Sequence, residues 1–427
     1  MADVKFAVVR EAIRTDTGTE DWTVAGFGTV KAAIFIPTLC VTDSTVVADA
    51  SIGWGVTDGT GNFGIAVSDE DAATTSNTNR GISSTKCLYA LQGDGTLAYE
   101  GDFDSFITDG VRVDITTNTS AIAAFVTCIL IGGDDVAEVG VGTYLNSNGG
   151  NTYAGLGFSA APSVAFLCNR ADAATSGIAA HASFHLGVVD FNGNQAGSTW
   201  GSNNSSSAAN ANSETFAAGT VASSQAQSIS GATQWESYLD NPVADGWDVN
   251  INTGSPGGDL TVYLALGFTN SPGVQVFSDT MPTTTTGTFD YSGASFTPGF
   301  MFGVQTEDTA FDTFTATAST AILTADATRQ YCNAISIEDD AADMNTATIS
   351  GATLYDSLNA GTVESYVATL TGFTSDGYDA DFTVTQPAST PHLMWGILIE
   401  EASAGGVTPE IVPPLAMRSY RHSGRYV

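Results

Sequence analysis

Lysine is almost missing from this sequence: it stands only at Lys5, Lys31 and Lys86 of 427 residues, and 12 basic residues face 46 acids, giving a net charge of −34. That imbalance excludes a body that grips nucleic acid or an anionic membrane through its surface. Long apolar runs are missing too. The longest, Ala121 to Ile131, spans eleven residues and cannot cross a bilayer. The opening Met1 to Phe6 carries Lys5 but no apolar core of the secretory kind, so a signal peptide is not expected. Cys40, Cys87, Cys128, Cys168 and Cys332 are odd in number, contain no Cys-x-x-Cys and fall mostly in apolar stretches, which reads as buried free thiols. No long stretch shows helical periodicity with caps. Gly, Thr, Ser, Ala, Val and Asp dominate instead, a composition of short strands joined by polar turns.

What the chain does have is repetition. Asp109-Gly110-Val111-Arg112-Val113-Asp114-Ile115 returns as Asp245-Gly246-Trp247-Asp248-Val249-Asn250-Ile251 and as Asp376-Gly377-Tyr378-Asp379-Ala380-Asp381-Phe382. Asp-Gly followed by alternating side chains predicts a turn feeding a half-buried strand. Two further landmarks keep the same order. Phe27, Phe158 and Phe296 each precede an apolar strand and stand upstream of the Asp-Gly, while Phe125 to Ile131, Val262 to Leu266 and Leu393 to Ile399 close each copy. The period is that of a small domain, much longer than a solenoid repeat. The expectation is an all-β chain of three tandem antiparallel β-sandwich domains, jelly-roll or lectin-like, at residues 1–134, 135–270 and 271–402. Pseudo-threefold packing and beads in a row fit this pattern equally well. Alternating glycines in Ala50 to Val56 point to close backbone packing or a bulge.

From residue 403 the character changes. Gly405-Gly406 opens a linker, Pro409 and Pro413-Pro414 stiffen it, and Arg418, Tyr420, Arg421, Arg425 and Tyr426 crowd the end. Residues 403–427 thus read as an extended, basic, aromatic docking tail on an acidic body.

Catalytic patterns are weak. His181 and His185 would share one face of a strand, but no third metal ligand is placed by sequence. The acidic stretches Asp69 to Asp71 and Glu338 to Asp340 offer oxygens to calcium without EF-hand spacing, so solvated turns are the preferred reading and no cofactor is expected. His392 and His422 lack nucleophile partners, and Asp248 and Asp379 recur as the outward face of a repeated strand better than as a glycosidase pair. Trp247 and Tyr378 offer aromatic platforms for a glycan, although aromatics in alternating strands usually face a core.

The Gly-Phe opening, the small residue or proline before an apolar strand ending in Phe, the later Asp-Gly-aromatic strand and a closing strand running into Gly132-Gly133 resemble repeat units in structural proteins of tailed phages and related viruses. The resemblance spans residues 1 to about 402. It implies a non-enzymatic virion component, such as a capsid-decoration, fibre or tail protein, assembled in the host cytoplasm. Its partners would be major capsid or tail subunits or further copies of itself, with no nucleic acid and no membrane. The alternative is a glycan- or receptor-binding module.

Overall fold

The computed structural model describes residues 3–73, 75–147, 151–170, 176–204, 211–217, 219, 223–227, 232–254, 257–282, 286–315, 317–338, 346–359, 363–384 and 392–401. The described residues are all-β, with strands joined by turns and no helix, hence no helix long and apolar enough to cross a membrane. Every strand pairing is antiparallel, and the strands form six sheets that follow the chain as three pairs, one large and one small in each.

The large sheets share one strand order. An opening strand (Lys5–Ala12, Val136–Ser147, Val274–Thr280) pairs with the closing strand (Phe125–Gly132, Gly257–Phe268, Leu393–Ile399). Next comes a middle strand (Val30–Pro37, Val164–Asn169, Phe300–Thr306). A hairpin follows (Ala50–Thr57 with Asn62–Asp69, Ala182–Val189 with Gln195–Ser202, Thr317–Asp326 with Gln330–Glu338), and a rim strand ends the series (Thr78–Ser83, Ala211–Phe216, Thr346–Gly351). The small sheets are four-stranded, and the strand after each Asp-Gly (Gly110–Asn118, Gly246–Gly254, Gly377–Val384) is internal in all three.

The repeated landmarks touch one another, which explains their constant spacing. Asp109, at φ +65°, accepts hydrogen bonds on its carboxylate from Gly28 N (2.6 Å) and Gly26 N (3.1 Å), and these hold its pKa below the usual carboxylate value. Asp245 accepts Phe158 N at 2.7 Å, and the Asp376 carbonyl accepts Gly293 N and Ala294 N at 2.9 and 2.8 Å. The glycine is required by proximity: a Cβ on Gly110, Gly246 or Gly377 would strike the carbonyl of Trp22, Tyr153 or Tyr291 on the facing strand.

Burial differs between the two kinds of sheet. Gly110–Asn118 alternates inward Val111, Val113 and Ile115 with half-exposed Arg112 and Asp114, as a one-faced strand should. Phe125–Gly132 and Leu393–Ile399 are buried along nearly their whole length. One face of each large sheet packs on its own small sheet, through Phe35 and Trp22, Leu167 and Trp247, and Met301 and Tyr378 in turn. The other face enters one central cluster shared by all three large sheets. There the equivalent Ile34, Phe166 and Phe302 converge, with Phe166 and Trp54 both edge-on to Phe302, at 5.7 and 5.5 Å between ring centroids. Phe6 stacks on Phe300 at 4.3 Å. The three repeats are therefore grouped around a pseudo-threefold axis rather than strung in a row.

Candidate functional site

The ring is closed by two devices, the first pointing from one repeat to the preceding one in cyclic order and the second to the following one. The first is an arm before the hairpin. Val47–Ala48 pairs with the third repeat's rim at Thr348 and Ala347, Gly177–Ala180 pairs with the first repeat's rim, and Thr315 bridges Ser213 of the second. Sheets thus cross the boundaries set by the sequence repeats, and each arm covers a rim edge that would otherwise offer unpaired backbone groups. Rim threonines lock the arrangement. Thr78 Oγ1 donates to the Ser202 carbonyl (3.0 Å) and Thr346 Oγ1 to the Asp69 carbonyl (3.2 Å). Their backbone N–H groups donate to Asn204 Oδ1 and Asp71 Oδ1.

The second device is the hairpin turn. In the first repeat Asp58 Oδ1 accepts Thr60 N, Thr60 Oγ1 and Gly61 N, and its Oδ2 accepts Val141 N from the second repeat's opening strand at 3.0 Å. In the third, Asp326 Oδ1 accepts Thr328 N, Thr328 Oγ1 and Arg329 N, and its Oδ2 accepts Val8 N at 2.8 Å. Arg329 Nη1 also donates to the Val8 carbonyl. The second repeat differs. Its turn, Asp190-Phe191-Asn192-Gly193-Asn194, is one residue longer, and Asp190 Oδ2 accepts Asn194 Nδ2 from within the turn at 2.7 Å. Phe191 sits at φ +51° with its ring 5.5 Å from the Trp247 ring. Where this turn faces the third repeat's opening strand there is a cleft of about 210 Å³, walled by Asn192 on one side and by Pro272 and Val274 on the other. A second cleft of about 310 Å³ is also lined by Phe191 and lies against Leu239 and Asp240.

With so few cations, junction carboxylates are satisfied mainly by N–H and hydroxyl donors, although Asp326 also pairs with Arg329 at 3.5 Å. Asp69 accepts Ser202 Oγ at 3.2 Å, Asp308 accepts Ser213 Oγ and Thr215 Oγ1 at 2.6 Å each, and Glu401 accepts Phe6 N at 2.8 Å. Burial raises the pKa of all three, that of Glu401 to about 7. Arg10 is an exception among cations. It pairs with Asp43 at 2.5 Å while lying over the Phe125 and Tyr331 rings at the junction of the first and third repeats.

The residues singled out by sequence fare differently. Trp247 and Tyr378 are fully buried, so neither presents a face to a glycan. The two-residue alternation after Asp-Gly turns them inward, where Trp247 meets Tyr263 edge-on at 4.9 Å and Tyr378 hydrogen-bonds Tyr355. Asp248 and Asp379 lie in separate small sheets. His181 precedes its strand at φ +66° and accepts Asn204 N, while His185 is buried within the strand. Among the described residues no His, Cys, Asp and Glu cluster could hold a metal ion. Asp69 and Asp71 serve the junctions, and residues 339 and 340 lie outside the described residues, as does His422. His392 is buried, and burial lowers its pKa to about 4. All five cysteines are free and buried. Gly53 and Gly55 have close backbone neighbours, the carbonyls of Tyr89 and Cys87. Arg418, Tyr420, Arg421, Arg425 and Tyr426 lie outside the described residues.

Sequence reading missed the 190–194 turn. Its signal was present as one extra residue between the hairpin strands of the second repeat, visible once the three hairpins are superposed. No family model matches the chain, and neither a curated protein nor a solved structure is similar to it.

Proposed function

We propose that the chain is a non-enzymatic virion structural protein, a capsid-decoration, fibre or tail component assembled in the host cytoplasm. In this reading residues 1–134, 135–270 and 271–402 are three β-sandwich domains fused into one pseudo-trimeric block. Residues 403–427 form the tail that reaches a neighbouring major capsid or tail subunit through Arg418, Arg421 and Arg425, flanked by Tyr420 and Tyr426. The observation that supports it most is the use of buried and half-buried carboxylates: Asp58, Asp69, Asp308, Asp326 and Glu401 all bond across repeats and so serve cohesion of the block. A cation-poor acidic body also suits contact with proteins better than with nucleic acid or an anionic membrane. Deleting residues 406–427 should abolish incorporation into particles while leaving the block folded; incorporation at the full level would contradict the assignment. A second reading, recognition of a receptor glycan, draws on the clefts around Phe191, since Trp247 and Tyr378 are enclosed.

A further inference from the structure

Three equivalent hairpin turns face three opening strands, yet only two of them close the contact with an aspartate oxygen that accepts the neighbour's backbone N–H. The second turn gains a residue, ties its aspartate to its own Asn194, and leaves a cleft where the neighbouring strand would otherwise be bonded. From this asymmetry we infer that the two clefts lined by Phe191 form a binding site for a neutral saccharide, with one sugar ring in each.

Several features favour that ligand class. Phe191 and Pro242 line both clefts, and Pro272 and Leu239 extend them, giving each space an apolar wall suited to the C–H face of a pyranose. Exposed Asn192 belongs to both clefts and Asn194 to the larger, so carboxamides capable of both donating and accepting stand where ring hydroxyls would lie. Charge argues for neutrality. The two acids at the clefts, Asp190 and Asp240, already accept amide hydrogens from Asn194 and Asn250, and a chain with a net charge of −34 disfavours an anion. The space is two clefts of about 310 and 210 Å³ that share Phe191, Asn192 and Pro242 rather than one trough, which fits two linked rings better than an extended peptide. The turn is held in shape before any ligand arrives, by Asp190 accepting Asn192 N and Asn194 N at 2.8 and 3.0 Å. This site does not depend on the chain being a virion component.

The test is titration of the full-length protein with maltose, cellobiose, lactose and chitobiose into the tens-of-millimolar range. The readout is tryptophan fluorescence, because Trp247 lies against Phe191. At least one disaccharide should bind saturably. Asn192→Ala, at an exposed position, should weaken it about tenfold with the melting temperature unchanged. Phe191→Ala should abolish it, and Thr60→Ala in the equivalent first turn should have no effect. The proposal is overturned if no disaccharide gives saturable binding, if binding survives both cleft substitutions, or if a proline-rich peptide binds in the clefts and none of the sugars does.

Discussion

The turns at Asp58 and Asp326 do the same work in nearly the same way, whereas the turn at Asp190 keeps the internal bonds and gives up the external one. The difference separates two roles of one motif. Holding the turn's own shape is needed in every repeat, since the hairpin on either side forms the middle of a large sheet. Bonding the neighbour is needed only often enough to keep the ring closed, and the shared core and arms carry the second-to-third junction without it. That junction also holds the most enclosed carboxylate cluster, Asp308 with Ser213 and Thr215, so cohesion has moved from the turn to the rim.

If the central core is what unites the repeats, its loss should have the largest effect. Phe302→Ala removes a side chain packed against Trp54, Phe166 and Trp395, and should cost about 3–5 kcal/mol. Calorimetry should show one transition shifted as a whole, because three sheets share that cluster; loss of a third of the unfolding enthalpy alone would mean independent units.

The comparison of turns gives the next effect. Asp326→Ala leaves turn N–H groups and Val8 N without their acceptor and should cost about 2–4 kcal/mol in chemical denaturation. Asp190→Ala should cost about 1 kcal/mol less, the worth of the missing inter-repeat bond. Equal losses would break the distinction drawn between the turns.

Smallest is the dependence on pH. Burial raises the Glu401 pKa from 4.5 to about 7, so its folded form prefers the proton. Stability is therefore full below about pH 4.5 and is lost as the pH rises toward 7, by a few kcal/mol at most. Asp69 and Asp308 shift in the same direction. His392, whose pKa burial lowers to about 4, works the other way, adding stability as the pH rises toward 6.5. The test is therefore a difference: in thermal melts from pH 5 to 8 wild type should lose stability relative to Glu401→Gln, in which the His392 contribution is retained, and a wild type that gains on the variant over this range would contradict the sign.

Much of the fold was legible because the sequence landmarks are contacts. Asp-Gly recurs where a carboxylate or carbonyl caps the Gly-Phe loop and where a facing carbonyl leaves no space for a Cβ, so its spacing to Phe27 and Phe158 was bound to persist. The continuous apolar closing strands were legible as strands, but their second buried face was not read as a partner's surface. An antiparallel strand covered on both sides has the same composition whether its cover is its own chain's loop or another repeat. One local likeness, whose two copies stand at different distances from their Asp-Gly, is a coincidence. Gly231-Ala232-Thr233-Gln234-Trp235 resembles Gly351-Ala352-Thr353-Leu354-Tyr355, yet Trp235 pairs with the strand that follows Asp-Gly and Tyr355 lies one strand earlier in its sheet. The candidate site was harder to read. Trp247 drew attention as a large aromatic beside a turn, but period-2 alternation points it into the core. The half-buried ring beside it, Phe191, comes from a different hairpin far away in sequence.

The central claim is that three repeats close into one block around a shared core. Small-angle X-ray scattering of the full chain at moderate salt tests it most directly. A closed block of this length should give a radius of gyration near about 22 Å and a single-peaked distance distribution. A value of about 30 Å or more with an extended, shouldered distribution would mean three domains in a row and would contradict the account.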